Sequence, residues 1–210
     1  MKKLLTAATL SFILAGSPSN AEEKTYALGE IDSVDAGGAF NIVIEIGKEQ
    51  SVTVVEDQGR FDYIDLEVRG RVLDIDYTSD WRGDNGPDFT VKLVLTALKE
   101  LDISGASRVL VEDAKLGDLE IDASGASQFV LSGTCGHLEA DISGAVKFAA
   151  EELSCKSVEM DLSGASQASI RADKKVDVET SGVSKVMIHG EAKSVHHESS
   201  GLSRMVRVKS

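Results

Sequence analysis

A chain of 210 residues that is 42% apolar, 5% aromatic and 27% charged is long enough for one ordinary domain with a real core and too short for two large ones. With only 2 Pro and 19 Gly, and an apolar fraction carried by Val, Ile, Leu and Ala, it favours strands punctuated by turns over a disordered or collagen-like polymer. Its 22 basic residues against 35 acidic ones give a formal charge of −13, which argues against a nucleic-acid partner gripped through its phosphates.

The first predicted element is an address. Lys2 and Lys3 precede an apolar run from Leu4 to Ala15, and Ser19-Asn20-Ala21 supplies the small residues a leader peptidase reads. Residues 1–21 are therefore expected to be a secretory signal peptide. The run is shorter than the roughly 20 residues that span a bilayer, and later apolar patterns alternate with charges, so no integral membrane segment is expected in the mature chain. Removing the leader takes away two lysines and moves the charge from −13 to −15. The product is an acidic exported domain, in the periplasm, at the outer-membrane surface or secreted.

Residues 22–97 read as irregular strands. Asp35-Ala36-Gly37-Gly38-Ala39-Phe40 is a degenerate copy of the repeat described below, followed by strand-like runs at Ser51 to Glu56, Ile64 to Arg69, Val72 to Tyr77 and Phe89 to Thr96. Between the last two lies residues 78–88, rich in Gly, Asp and Asn and carrying the only Trp, Trp81. This stretch is expected to protrude as a loop. Trp81 is a candidate contact residue there, with folding back over the side of the domain as the alternative. Arg82-Gly83-Asp84 in the same loop spells a receptor-binding tripeptide, a three-letter match that is treated as coincidence.

From residue 98 to 210 the chain repeats. Asp102-Ile103-Ser104-Gly105-Ala106-Ser107 recurs at Asp122, Asp141 and Asp161, and more loosely at Glu179 and Glu198, with the leading serines 18 to 20 residues apart. Aligned on that serine, Leu119, Leu138, Val158, Val176 and Val195 form one inward column, and Leu101, Ile121, Ala140, Met160, Val178 and His197 another. Glu120, Glu139, Glu159 and Asp177 fall between them. This period-two alternation marks strands with one buried and one wet face. Each unit thus holds two short strands bent at a Ser-Gly corner and closed by a less regular stretch. A unit so small cannot bury its own apolar side, so successive units must stack at the strand spacing of about 4.8 Å. The expected fold is all-β, a single-stranded parallel β-helix of 19–20 residues per coil forming one domain over residues 22–210. Glycine at the corner can take positive φ and let coils approach, and the motif serines form a column able to hydrogen-bond along the axis.

The Asp-Ile-Ser-Gly-Ala-Ser copies, with Gly38-Ala39-Phe40-Asn41-Ile42-Val43 and Leu98-Lys99-Glu100-Leu101-Asp102, resemble the head GIN domain family of auto-transporter adhesins, which are exported bacterial proteins. The resemblance spans roughly Ile31 to Arg207 and implies a right-handed β-helix. It brings no catalytic residues. Only seven residues follow Ser203, too few for the C-terminal barrel of an autotransporter.

Several residues carry candidate chemistry. Cys135 and Cys155 occupy the same column, where stacking puts their α-carbons within reach of a disulfide, and an oxidising compartment favours the bond; two buried thiols are the alternative. The acid column of Asp102, Asp122, Asp141 and Asp161, continued by Glu179 and Glu198, repels itself by about 1 kcal/mol per neighbouring pair even in water. Either Ca²⁺ bridges neighbouring carboxylates, or each Asp bonds its own bend or pairs across the corner with Arg108, Gln128, Lys147, Gln167 and Lys185. No other cofactor is expected. His137 and His189 have no evident partners, His196 and His197 face opposite sides of a strand, and no catalytic triad or phosphate loop is present. The expectation is a non-enzymatic binding protein that presents its acidic side and the Arg108-to-Lys185 column to a glycan or envelope protein. The rivals are a polysaccharide-acting enzyme on a β-helix and a structural protein that self-assembles end to end into a homo-oligomer.

Overall fold

The protein is described by a computed structural model that covers residues 21–81 and 88–208. The expected signal peptide and Arg82-Gly83-Asp84 fall outside the described residues, except Ala21, which is exposed. The chain is nearly all β and winds into a β-helix of about five turns. No helix among the described residues is long and apolar enough to cross a membrane.

The regular turns are built from β8 (Glu100–Gly105), β9 (Arg108–Lys115), β10 (Asp118–Ala123), β11 (Gln128–Ile142), β12 (Lys147–Leu162), β13 (Gln167–Thr180), β14 (Lys185–His189), β15 (Ser194–Ser199) and β16 (Arg204–Arg207). All pair in parallel, and the repeat columns lie in register: Ile121 opposite Leu101 and Ala140, Met160 opposite Ala140 and Val178. These residues are 0 or 1% exposed and form the core with Phe129 and Phe148, whose rings lie 5.6 Å apart on neighbouring turns. One expectation is corrected here. The stretch closing each unit is strand, not irregular chain, in β11, β12 and β13, where bulges absorb the differing lengths.

The N-terminal strands are β1 (Glu22–Tyr26), β2 (Ser33–Gly38), β3 (Asn41–Ile46), β4 (Ser51–Glu56), β5 (Ile64–Arg69), β6 (Val72–Tyr77) and β7 (Thr90–Leu95), with a 3-10 turn at Phe61–Tyr63. They stack out of chain order. The β2–β3 level sits beneath β8–β9, as the degenerate copy of the repeat implies, but the chain then passes below it to lay down β6 and β7 and jumps back over it to β8. On the far side β4 pairs antiparallel with β7, β1 with β4, and β5 with β6. These hairpin partners cover strand edges that a parallel helix leaves open at its end.

A charged clasp holds this reordering. Asp32, 4% exposed, receives Arg71 from the level below, Nε at 2.8 Å, and Lys99 from the level above, Nζ at 2.7 Å. The hydrogen bond from Lys99 and the Arg71 guanidinium hold its carboxyl below the usual range against the opposing effect of burial. Glu56, 1% exposed, is secured likewise: burial pushes it up, but the backbone and guanidinium of Arg60 and the Gln58 N–H outweigh that and lower it.

Candidate functional site: two opposed outer faces

The corner between the two strands of each turn sets the geometry of both faces. Gly105, Gly125, Gly144 and Gly164 all have positive φ, from 88 to 103°, and the N–H of Ala126 donates to the Gly105 carbonyl at 2.7 Å. A Cβ on Gly125 would sit 2.3 Å from that oxygen, so the corner admits glycine alone. The axial serine bonds come from the second serine of each motif. Ser127, 2% exposed, donates to Gly105 O and accepts from Ser107 N, and Ser166 repeats the pattern on Gly144 O and Val146 N. The corner surface itself is exposed glycine and alanine, a smooth ridge that ends in Val183 and Leu202, 61 and 82% exposed.

On one side of the ridge lies an acidic face. Asp102, Asp122, Asp141, Asp161, Glu179 and Glu198 are in direct register, and Asp35 and Asp74 extend the column to eight carboxylates. Glu100, Glu120, Glu139, Glu159 and Asp177 run beside it. A groove of about 640 Å³ follows the column between these acids and the leading serines, Ser124, Ser143 and Ser163 among them. The four aspartates from Asp102 to Asp161 make no hydrogen bond or ion pair with a described residue, so neither bonding to the bend nor pairing across the corner relieves their repulsion. Burial first, then the charges of Asp141 and Asp102, push the Asp122 carboxyl above the usual range. Burial followed by Asp141, Glu159 and Asp177 raises Asp161, and burial followed by Asp102, Asp74 and Asp76 raises Asp35. No group of three or more metal-ligating side chains is gathered tightly enough to hold an ion among the described residues.

Across the ridge the chemistry inverts. Asn41, Arg108, Gln128, Lys147, Gln167, Lys185 and Arg204 stand in one register column facing outward, with amide and cation alternating as far as Lys185. Asn41 Nδ2 donates to Asp88 Oδ1 at 2.7 Å and Arg108 Nε makes a long 3.4 Å bond to Gln128 Oε1, but the other heads have no side-chain partner among the described residues, whose Arg and Lys ion pairs use other cations: Arg60, Arg69, Arg71, Lys92, Lys99 and Lys175. Two residues further along each strand the outward slot holds Val43, Leu110, Val130, Ala149, Met187 and Val206, broken once by Ser169. A solvent-facing strand position ordinarily carries polar side chains. Val130 is 36% exposed, and most of the others are half-buried. The polar column therefore runs between an apolar row and the alanine ridge. A hollow of about 260 Å³ at its first turns is bounded by Asn41, Asp88, Arg108 and Gln128.

Trp81 is placed by its neighbours. Its ring meets Tyr63 edge-on at 5.5 Å and lies 6.3 Å from Tyr77, which stacks on Phe40 at 4.7 Å, so the indole folds back over the side and is half-buried. Cys135 and Cys155, opposite each other on β11 and β12, are joined through their sulfurs with α-carbons 4.4 Å apart. The histidines are better partnered than their sequence suggests: His137 meets Ser157 at 2.9 Å, His189 meets Ser169 at 3.0 Å, and His197 meets Thr180 at 3.1 Å, each across adjacent turns. Sequence reasoning missed Asp74, which lies in an element outside the repeat. It also missed the apolar outer row, whose signal was present as Val, Leu and Met in slots the alternation assigns to water.

A family model described as "Putative auto-transporter adhesin, head GIN domain" matches residues 30–192. A solved structure described as a putative adhesin from Bacteroides fragilis superposes with a TM-score of 0.71 at 16% identity, covering 91% of this chain and 98% of that one. One described as a putative lipid binding protein from Parabacteroides distasonis gives 0.53 at 18% identity, covering 90% and 97%. At such identities the likeness is one of fold. No curated protein matches the sequence.

Proposed function

Since the chain belongs to the head GIN domain family of putative auto-transporter adhesins, its match spanning residues 30–192, we propose that it is a non-enzymatic, exported, adhesin-like protein that holds an envelope or extracellular macromolecule against the long outer sides of its β-helix. The observation that carries this reading is the pair of opposed columns. Turn after turn, carboxylates on one side and amides and cations on the other are held in register, and Asp102, Asp122, Asp141 and Asp161 on the one side and Lys147, Gln167 and Lys185 on the other have no side-chain partner among the described residues. Folding gains nothing from aligning the carboxylates in this way, since like charges in direct register destabilise a sheet. An extended ligand gains one contact set per turn, and many weak contacts in series add up to firm attachment.

Trp81 has a supporting place in this reading, since its packing on Tyr63 and Tyr77 closes the side of the first level. Pull-down from the native envelope tests the function with three baits: the mature protein, an Asp122→Asn/Asp141→Asn variant, and a Lys147→Gln/Lys185→Gln variant. Capture of a defined component that is lost with one of the two variants is the expected result. Capture that is the same with all three, or no capture at all, overturns the reading.

A further inference from the structure

We propose that the face built from β9, the first halves of β11, β12 and β13, and β14 is a binding track for a linear anionic glycan in which acidic and neutral sugars alternate. The inference rests on the adhesin-like reading and names the ligand class of one of its two faces. Four observations point the same way.

The first is period. Stacking at about 4.8 Å per turn sets Arg108, Lys147 and Lys185, each two turns from the next, about 9.6 Å apart. The turns between carry Gln128 and Gln167. One hexopyranose of an extended glycan advances its chain by nearly the same step as one turn. A polymer with a carboxylate on every second sugar therefore meets a cation at each acidic residue and an amide at each neutral one. The guanidinium and ammonium heads can make charge-assisted bonds to carboxylate, and the Gln amide can both donate to and accept from hydroxyl and acetamido groups.

The second is availability. The chain carries 35 acids against 22 bases, yet Arg108, Lys147 and Lys185 are in no ion pair with a described residue. The third is the apolar row beside them. Leu110, Val130 and Met187 face outward on the same side, where the C–H face of a sugar ring can cover them. The fourth is confinement. Glu45, Glu112 and Glu152 are exposed beyond that row on the earlier turns, with Arg171 and His189 following on the next two, and the acidic face lies over the ridge, so a polyanion is repelled from the whole ridge side and from the other flank at those earlier turns. The distant carboxylates do not abolish attraction to the stripe, because at physiological salt the Debye length is about 8 Å.

The test uses the mature protein and a labelled hexasaccharide of alternating uronic acid and N-acetylhexosamine, followed by fluorescence polarisation. Three comparison ligands are a neutral β-linked hexasaccharide, a hexasaccharide of consecutive uronic acids, and vesicles of anionic phospholipid. Binding should favour the alternating glycan. Lys147→Gln/Lys185→Gln should weaken it roughly tenfold or more, as expected when two charge-assisted contacts are lost. Lys156→Gln/Lys193→Gln, which removes two exposed cations outside both columns, should leave that preference intact, and Gln128→Lys/Gln167→Lys, which puts a cation on every turn, should shift preference toward consecutive uronic acids. Circular dichroism checks that each variant is folded. Equal binding of the neutral glycan, no effect of the Lys147/Lys185 change, or vesicle binding in place of glycan binding overturns the proposal. If no anionic glycan binds while the envelope component is still captured and lost with a face variant, the track assignment falls and the adhesin-like reading stands; loss of both ends both.

Discussion

At the scale of single residues the fold depends on places where one atom more is too many. Gly125 combines positive φ with a would-be Cβ 2.3 Å from the Gly105 oxygen, whereas Gly70 has positive φ with open space and Gly117 has open space without the φ. The three alanine variants therefore separate the two costs. Gly117→Ala should leave stability nearly unchanged, and Gly70→Ala should lose about 1 kcal/mol of backbone strain. Gly125→Ala should lose roughly 3 kcal/mol or more, because the neighbouring backbone must also retreat, which for a domain of this size is a drop of about 6–12 °C in melting temperature. Thermal melts of the three proteins check the order. A Gly125→Ala melt no lower than that of Gly70→Ala would show that the turns are not in the close contact described.

Among elements, the long strands β11 and β12 are joined by their parallel ladder and by the link between Cys135 and Cys155, which are 5 and 1% exposed and 20 residues apart. Closing a loop of that length restrains the unfolded chain by about 3 kcal/mol on a chain-entropy account. Protein isolated from an oxidising compartment and alkylated while unfolded without reductant should gain no label, and should gain two after reduction. Mass spectrometry that finds both thiols labelled before reduction removes the link. This column was legible from the sequence because the Cys135 and Cys155 units align without a gap. The order of the N-terminal levels was not. Runs such as Ser51 to Glu56 and Ile64 to Arg69 announce strands, but whether a strand pairs parallel or antiparallel is decided by distant partners. The clue that β2 lies between β6 and β8 is a set of single charges, Arg71, Asp32 and Lys99, where the repeat elsewhere has an apolar column.

For the molecule as a whole, the core was legible because a nineteen- to twenty-residue repeat superimposed on period-two alternation leaves one way to bury Ile121, Ala140 and Met160 together. The candidate faces were legible only by half. Arg108 to Lys185 form a column on paper, but that its cations enter no ion pair among the described residues, and that an apolar row runs beside it, depend on which atoms reach one another. Carboxylates on the acidic face and in the clasps pull stability in opposite directions as pH falls. Asp35, Asp122 and Asp161 have raised carboxyls, so they bind protons more tightly folded than unfolded and stabilise the fold progressively as pH drops from neutral through the range above the ordinary carboxylate value. Asp32 and Glu56 have lowered carboxyls, so their contribution is full above the unfolded value and is lost as pH falls below it. The melting temperature at constant ionic strength should therefore rise on mild acidification, pass a maximum and then fall. Asp122→Asn/Asp161→Asn should flatten the rising limb by removing the charges, and the fall on the acid side should remain. A melting temperature that only declines from neutral pH downward would mean that the aligned carboxylates do not repel one another as their stacking requires.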